Sequence, residues 1–250
     1  MSAVLKPKNS KPVRERVSRE EWQMRVDLAA AYQLAAIFKW TDLIYTHFSA
    51  RVPGSEDFLI NPYGLMFDEI TASNLVRIDQ HGKVIDDPLE FGYNAAGFVI
   101  HGCMHEARPE VNCVIHTHTR AGVAVSAMKC GLLPISQHAM RVQQQCTYHD
   151  YEGIALNLGK KSRVMILRNH GLLTMGETVR EAFELMYYLD CACQIQIDAL
   201  SGGLENVQIM AQNAADTAAE QFDRPDRPST HKDWPALLRL LERRGINYLG

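Results

Sequence analysis

Val114–Thr119 reads VIHTHT, an apolar, β-branched run that closes on His-x-His. Side chains alternate across a strand, so His116 and His118 share one face and Thr117 takes the other. Their Cα atoms then stand roughly 6.6 Å apart, which lets two imidazoles converge on one ion. A second apolar run, Arg163–Arg168 (RVMILR), leads into the turn Asn169-His170-Gly171. If the two strands are neighbours, three imidazoles meet at one rim. Three neutral nitrogen ligands with an open position suit a catalytic divalent metal better than a closed structural one. A lone histidine is most often a core or surface residue. A His-x-His at one strand end with a third His at another favours the metal.

The rest of the 250-residue chain is that of an ordinary globular protein, 46% hydrophobic and 22% charged, with a formal net charge of −3. That balance offers no global field for nucleic acid. The Lys/Arg-rich start from Lys6 to Arg19 reads as a solvated arm. Six cysteines, at 103, 113, 130, 146, 191 and 193, form no Cys-x-x-Cys pair. Reduced thiols in a cytoplasmic protein are the expectation. Ser2–Arg19 lacks the apolar core of a signal peptide, and no run of eighteen apolar residues would span a membrane.

Taken in order, residues 1–17 read as a flexible arm, 18–204 as one domain and 205–250 as a helical tail packing on the domain or a neighbouring subunit. Ser18 with Glu21 is a capping box for a helix reaching about Lys39. Ile44–Val52 and Phe58–Asn61 form a hairpin around Pro53-Gly54, with His47 sharing a face with Tyr45 and Ser49. Leu75–Ile78 and Lys83–Asp86 are further short strands. Asn94 caps a helix over Ala95–Ala107, stopped by Pro109. His101 and His105 stand at i, i+4 on it, and His101 is the one placed near the site. Gly122–Met128 reads as a small-residue helix, Leu132–Ser136 as extended, and Gln143–Thr147 with His149–Tyr151 as a polar, aromatic loop containing Gly153. Leu156–Lys161 is a short helix or loop. Thr178 and Glu181 cap a long helix to about Leu200, and Arg224–His231 is a linker. In the last helix, Asp233–Arg244, Leu237, Leu240 and Leu241 form a stripe that covers the core or docks a subunit. Short antiparallel strands with covering helices are unlike a doubly wound sheet.

From about Val26 to Leu200 the chain resembles the class II aldolase/adducin family. The carriers are HTH at 116–118 after ARPEV, RNHGLL at 168–173, NAAGFVIH at 94–101, AVSAMKCGLLPIS at 124–136 and YHDYEGI at 148–154. Within the family it most resembles the adducin head and bacterial adducin-like proteins. The resemblance implies an α/β/α sandwich with a central, mostly antiparallel sheet, a homotetramer with sites between subunits, and one divalent ion on His116, His118 and His170. Zinc is the expected ion, with iron or manganese as alternatives.

The departures from the family matter more. The sugar-phosphate aldolases carry a glutamate acid/base where this chain has Gly97. Their two phosphate-holding serines match Ala95 and Ala96. Their Gly-Asn on the early strand matches Thr46-His47, and their Thr-Pro-x-Gly turn appears as Asn61-Pro62-Tyr63-Gly64. A phosphate needs backbone and hydroxyl donors, preferably beside a positive group. The expected substrate is therefore a small, non-phosphorylated hydroxy-carbonyl compound or keto acid. His47, Asn61, Tyr63, Gly64, Ala95, Ala96 and Gly97 are candidates to line its pocket; His101 first, then Tyr148 and His138, with His47, His149 and Tyr151 as further options, are candidates to move the proton. A metal-dependent lyase is the leading reading. One alternative is a non-haem iron oxygenase cleaving an aromatic keto acid, since three histidines leave positions open on iron. The other is a non-catalytic, adducin-like oligomerising module. The basic tail of adducin has no counterpart before Gly250, which weakens that last reading.

Overall fold

The computed structural model describes residues 11–150, 162–222 and 232–250. The first ten residues of the arm, Tyr151 and Gly153 of the polar loop, the segment 156–161 and the linker 224–231 lie outside the described residues.

A single turn, α1 (Val13–Arg16), leads into α2 (Arg19–Ile37). The Ser18 hydroxyl accepts from Glu21 N at 3.0 Å, satisfying one of the amides that every helix start leaves unpaired. The described end of the arm read from the sequence is docked at this turn: Val13 is buried, and Arg16 Nη1 lies 3.1 Å from the Asp86 carboxylate.

Then come β1 (His47–Arg51), β2 (Phe58–Ile60), β3 (Val76–Ile78) and β4 (Val84–Asp86), a meander of short strands. After α3 (Ala95–Ala107) the chain forms β5 (Cys113–Thr117), α4 (Arg120–Ser126), α5 (Gln137–Gln143) and β6 (Cys146–His149). β7 (Val164–Leu167), β8 (Gly171–Gly176), α6 (Val179–Leu200), α7 (Gln212–Phe222) and α8 (Asp233–Arg243) complete it. The sheet runs β4-β3-β2-β1-β5-β8-β7-β6. β6 and β7 pair in parallel and the other neighbours are antiparallel.

Two elements depart from the sequence reading. The stretch from Gln143 to His149, expected as a loop, closes α5 and forms β6. Leu132–Ser136, expected as extended, is no strand; Ser136 caps α5 by accepting from Ala139 N at 3.1 Å. β6 is a sheet edge paired to one neighbour, so backbone bonds rather than a buried alternation specify it.

Alternation sorts the two faces. Phe48, Ala50, Cys113 and Ile115 pack with α2 and α6 in the main core cluster. Val114, Leu173 and Met165 pack with Met104 of α3 on the opposite face, and Phe58 and Ile60 with Phe98. This is the α/β/α sandwich with a mostly antiparallel centre. Trp234 and Leu241 of α8 are buried in the main cluster, with Leu237 and Leu240 packed against it. The leucine stripe thus covers this chain's own core. No described helix is long and apolar enough to cross a membrane.

Candidate metal centre

His116 is the fourth residue of β5, paired with Leu173 of β8 on one side and with His47 of β1 on the other. His118 follows the strand, and the Thr119 hydroxyl caps α4 by accepting from Gly122 N at 3.2 Å. His170 sits in the tight turn between β7 and β8, its amide bonded to Leu167 O at 3.1 Å. Asn169 takes φ +55° there, a left-handed conformation that asparagine tolerates better than most side chains. Gly171 is required by close approach: a Cβ would fall 2.4 Å from Thr117 O.

These three turns and strand ends bring three imidazoles together. His118 Nε2 lies 2.9 Å from His116 Nε2 and 2.9 Å from His170 Nε2. The ring centroids are 4.7–4.8 Å apart. The outer nitrogens decide what the inner ones carry. His116 Nδ1 donates to Leu172 O at 2.9 Å, and His118 Nδ1 donates to the Asp42 carboxylate at 2.8 Å. In a neutral ring that leaves both Nε2 atoms with lone pairs facing one spot, an arrangement a cation resolves. Burial pushes the pKa of His116 well below the usual imidazole range and also lowers that of His170, with neighbouring imidazoles adding to both. Neutral imidazole is the ligating form. The donor set fits a divalent ion held on three nitrogens, with the carboxylate–histidine support common at zinc sites.

The remaining candidates divide. His47 stands beside the cluster, its ring centroid 5.5 Å from that of His116. Its neighbour His101, expected to move the proton, is fully buried. Its Nε2 lies 2.9 Å from His47 Nδ1 and its Nδ1 lies 2.6 Å from Ser49 Oγ. Both of its nitrogens are committed inside the fold, so it does not reach a substrate directly. The Tyr148 hydroxyl accepts from Leu132 N at 2.8 Å while Arg168 lies over its ring, and His138 packs on Tyr188. Among the described residues neither makes a hydrogen bond or ring contact with the three histidines. Asn61 is buried with its Oδ1 2.9 Å from the Tyr32 hydroxyl, which ties β2 to α2. Tyr63 is 40% exposed on a turn closed by Gly64 at φ +113°. Ala95 and Ala96 lie exposed on the first turn of α3, and Gly97 is buried with Asn94 Oδ1 accepting from its amide. Any side chain at 97 would meet His47, since a Cβ there would sit 1.8 Å from His47 Nε2.

Two contributors escaped the sequence reading as site residues. Asp42 lies just before the turn at Leu43-Ile44, 76 residues from His118, and nothing in its surroundings marks it. Ser49 left one trace, its place two residues from His47 on the same strand face.

Comparison with known proteins agrees with this architecture. The model of the class II aldolase and adducin N-terminal domain matches residues 26–197. The crystal structure of an aldolase II superfamily protein from Pseudomonas syringae superposes with a TM-score of 0.90 at 51% identity, covering 94% of this chain and 98% of that one. An L-fuculose 1-phosphate aldolase from Glaciozyma antarctica PI12 superposes with a TM-score of 0.84 at 28% identity, covering 92% and 93%. Alpha-adducin of Rattus norvegicus is 41% identical over 245 residues, which cover 89% of this chain and 33% of alpha-adducin.

Proposed function

The chain belongs to the class II aldolase and adducin family, and from that premise we propose that it is a metal-dependent lyase. It acts on a carbon–carbon bond in a small, non-phosphorylated hydroxy-carbonyl compound or keto acid. The observation that carries this reading is the convergence of three Nε2 atoms with two of their tautomers held by Leu172 O and Asp42. Bound there, a divalent ion would polarise a substrate carbonyl or enediolate oxygen. Zinc is the ion we assign, with iron or manganese compatible with the same donors.

The substrate class follows from what the surrounding positions offer. Ala95 and Ala96 present methyl groups on the first turn of α3, and Asn61 is engaged with Tyr32. None of these offers the hydroxyl cradle a phosphate prefers. A hollow of about 340 Å³ opens at Asn169, next to His170, and includes Lys129 and Arg168 together with Asp150. Arg168 is engaged there by Asp150 at 3.9 Å and by Met128 O at 3.0 Å, which leaves Lys129 as the cation that suits a carboxylate. Tyr63 offers a face for an apolar body.

Metal analysis of protein purified without chelator or affinity tag tests the reading. One zinc per chain is expected, lost in the His116→Ala/His118→Ala double variant. Thermal shift with metal present should then favour keto acids over fuculose- and ribulose-type phosphates. A ligand at a hundredfold excess over its dissociation constant stabilises by about 2.7 kcal/mol. Stabilisation by sugar phosphates alone would overturn the substrate class. The similarity to alpha-adducin supports a second reading, a non-catalytic oligomerising module, which complete absence of metal would favour.

A further inference from the structure

A chain of buried hydrogen bonds runs through the sheet face beneath α3 and ends beside the three histidines. It starts at a backbone carbonyl. Val111 O lies 2.9 Å from His105 Nδ1, and a carbonyl can only accept, so His105 carries its hydrogen on Nδ1. His105 is buried and held neutral, lowered from 6.5 to about 4 chiefly by desolvation. Its Nε2 is therefore bare and accepts from Ser49 Oγ at 3.1 Å. The hydroxyl has one hydrogen, now used. Its 2.6 Å bond to His101 must then be donated by His101 Nδ1–H. His101 is fully buried, and burial drives it well below the usual imidazole range, so its Nε2 is bare as well. The 2.9 Å bond between that atom and His47 must come from His47 Nδ1–H.

Every hydrogen along the chain is thus fixed by the carbonyl at its start. What remains is His47 Nε2. It has no hydrogen-bond partner among the described residues, yet it is not one of the sealed, unpartnered polar atoms of the fold. His47 as a whole is 3% exposed, and this nitrogen is the end of the chain that no described residue engages. It lies against the bare backbone of Gly97 at the start of α3, on the ring next to His116.

We propose that His47 Nε2 is the proton acceptor for the substrate hydroxyl at this site, and that Ser49, His101 and His105 are positioning residues that keep its lone pair uncovered. This rests on the lyase reading. In the cleavage direction the substrate O–H bond breaks and the Nε2–H bond forms. The oxygen electron pair closes a carbonyl as the adjacent carbon–carbon bond opens. The released pair stays on the carbonyl fragment, whose carbon then takes the proton back from His47.

Nitrogen-15 spectra of histidine-labelled, zinc-reconstituted protein at neutral pH test the assignment without any substrate. Signals are assigned through His47→Gln and His105→Gln. His47, His101 and His105 should all show the Nδ1–H tautomer, the reverse of the form imidazole favours in water. An Nε2–H tautomer at His47 would overturn the proposal whatever the protein catalyses. Ser49→Ala should leave the zinc content intact and convert His47 to a mixture of tautomers, with Ser49→Thr restoring one form. An unchanged His47 signal in Ser49→Ala would remove the positioning role. His47→Gln should keep one zinc per chain while turnover of any keto acid or hydroxy-carbonyl cleaved by the parent falls ~10²–10⁴-fold. Loss of zinc from that variant would make His47 a ligand instead. Failure of the parent to cleave anything counts against the lyase reading, and the tautomer result separates the two.

Discussion

Asp42 Oδ2 accepts a 2.8 Å hydrogen bond from His118 Nδ1, across 76 residues of chain. That one bond turns the His118 lone pair toward His116 and His170. Such outer partners typically change metal affinity 10–100-fold when removed. We expect Asp42→Asn to fold normally, because the carboxylate is 47% exposed and supports no core packing. Its zinc dissociation constant should rise by about that factor, read by competition with a chromophoric chelator. Unchanged affinity would mean that Leu172 O and the turn alone orient the cluster.

His47 and Gly97 share one space, so their substitutions should couple. A Cβ on Gly97 would lie 1.8 Å from His47 Nε2. Gly97→Ala is expected to destabilise by about 1–3 kcal/mol, the usual range for overpacking. The same substitution in a His47→Ala background should cost far less, since the ring it strikes is gone. A double-mutant cycle by chemical denaturation measures the difference, and additive effects would show that the helix start yields instead.

Acid should unfold the metal-free protein through its buried imidazoles. His105 is lowered from 6.5 to about 4 by desolvation, against the bond to Val111 O that raises it and the Arg51 charge that lowers it further. A histidine whose folded pKa is depressed binds its proton in the unfolded chain first. Its contribution is complete above pH 6.5 and is lost as pH falls toward about 4. The span is worth roughly 3 kcal/mol for this group. Denaturation curves at pH 8, 6.5, 5 and 4 should show the fall, and His105→Gln should flatten it. A stability independent of pH across that window would refute the account.

Assembly should cover the apolar rim. Leu43 is 63% exposed, Tyr45 51%, Tyr63 40% and Phe91 40%. Leu43 and Tyr45 follow Asp42, while Tyr63 N bonds Gly92 O beside Phe91. Exposed apolar side chains of this size are the kind that contact surfaces cover. We expect an even homo-oligomer, a tetramer by the family resemblance, in light scattering at micromolar concentration. A monomer would sink this expectation.

The local features were written in the chain itself. Period-two spacing placed His116 and His118 on one face, and Asn169-His170-Gly171 announced a turn where a third imidazole could join them. Ser18, Asn94 and Thr178 marked their helix starts, because a cap needs only the amides three residues on. Short strands between turn residues pointed away from a doubly wound sheet. Tertiary structure decided the rest. β6 has one neighbour and no buried alternation, so its own residues could not declare it. His101 looked like the better base by its place on a helix, but packing closed both its nitrogens and left the opening to His47. Asp42 reaches His118, and Gly97 makes room for an imidazole from β1, only once strand register and the seat of α3 are set. Spacing along a chain fixes what lies within a turn or a strand. Which atoms meet across tens of residues is fixed by how the elements pack.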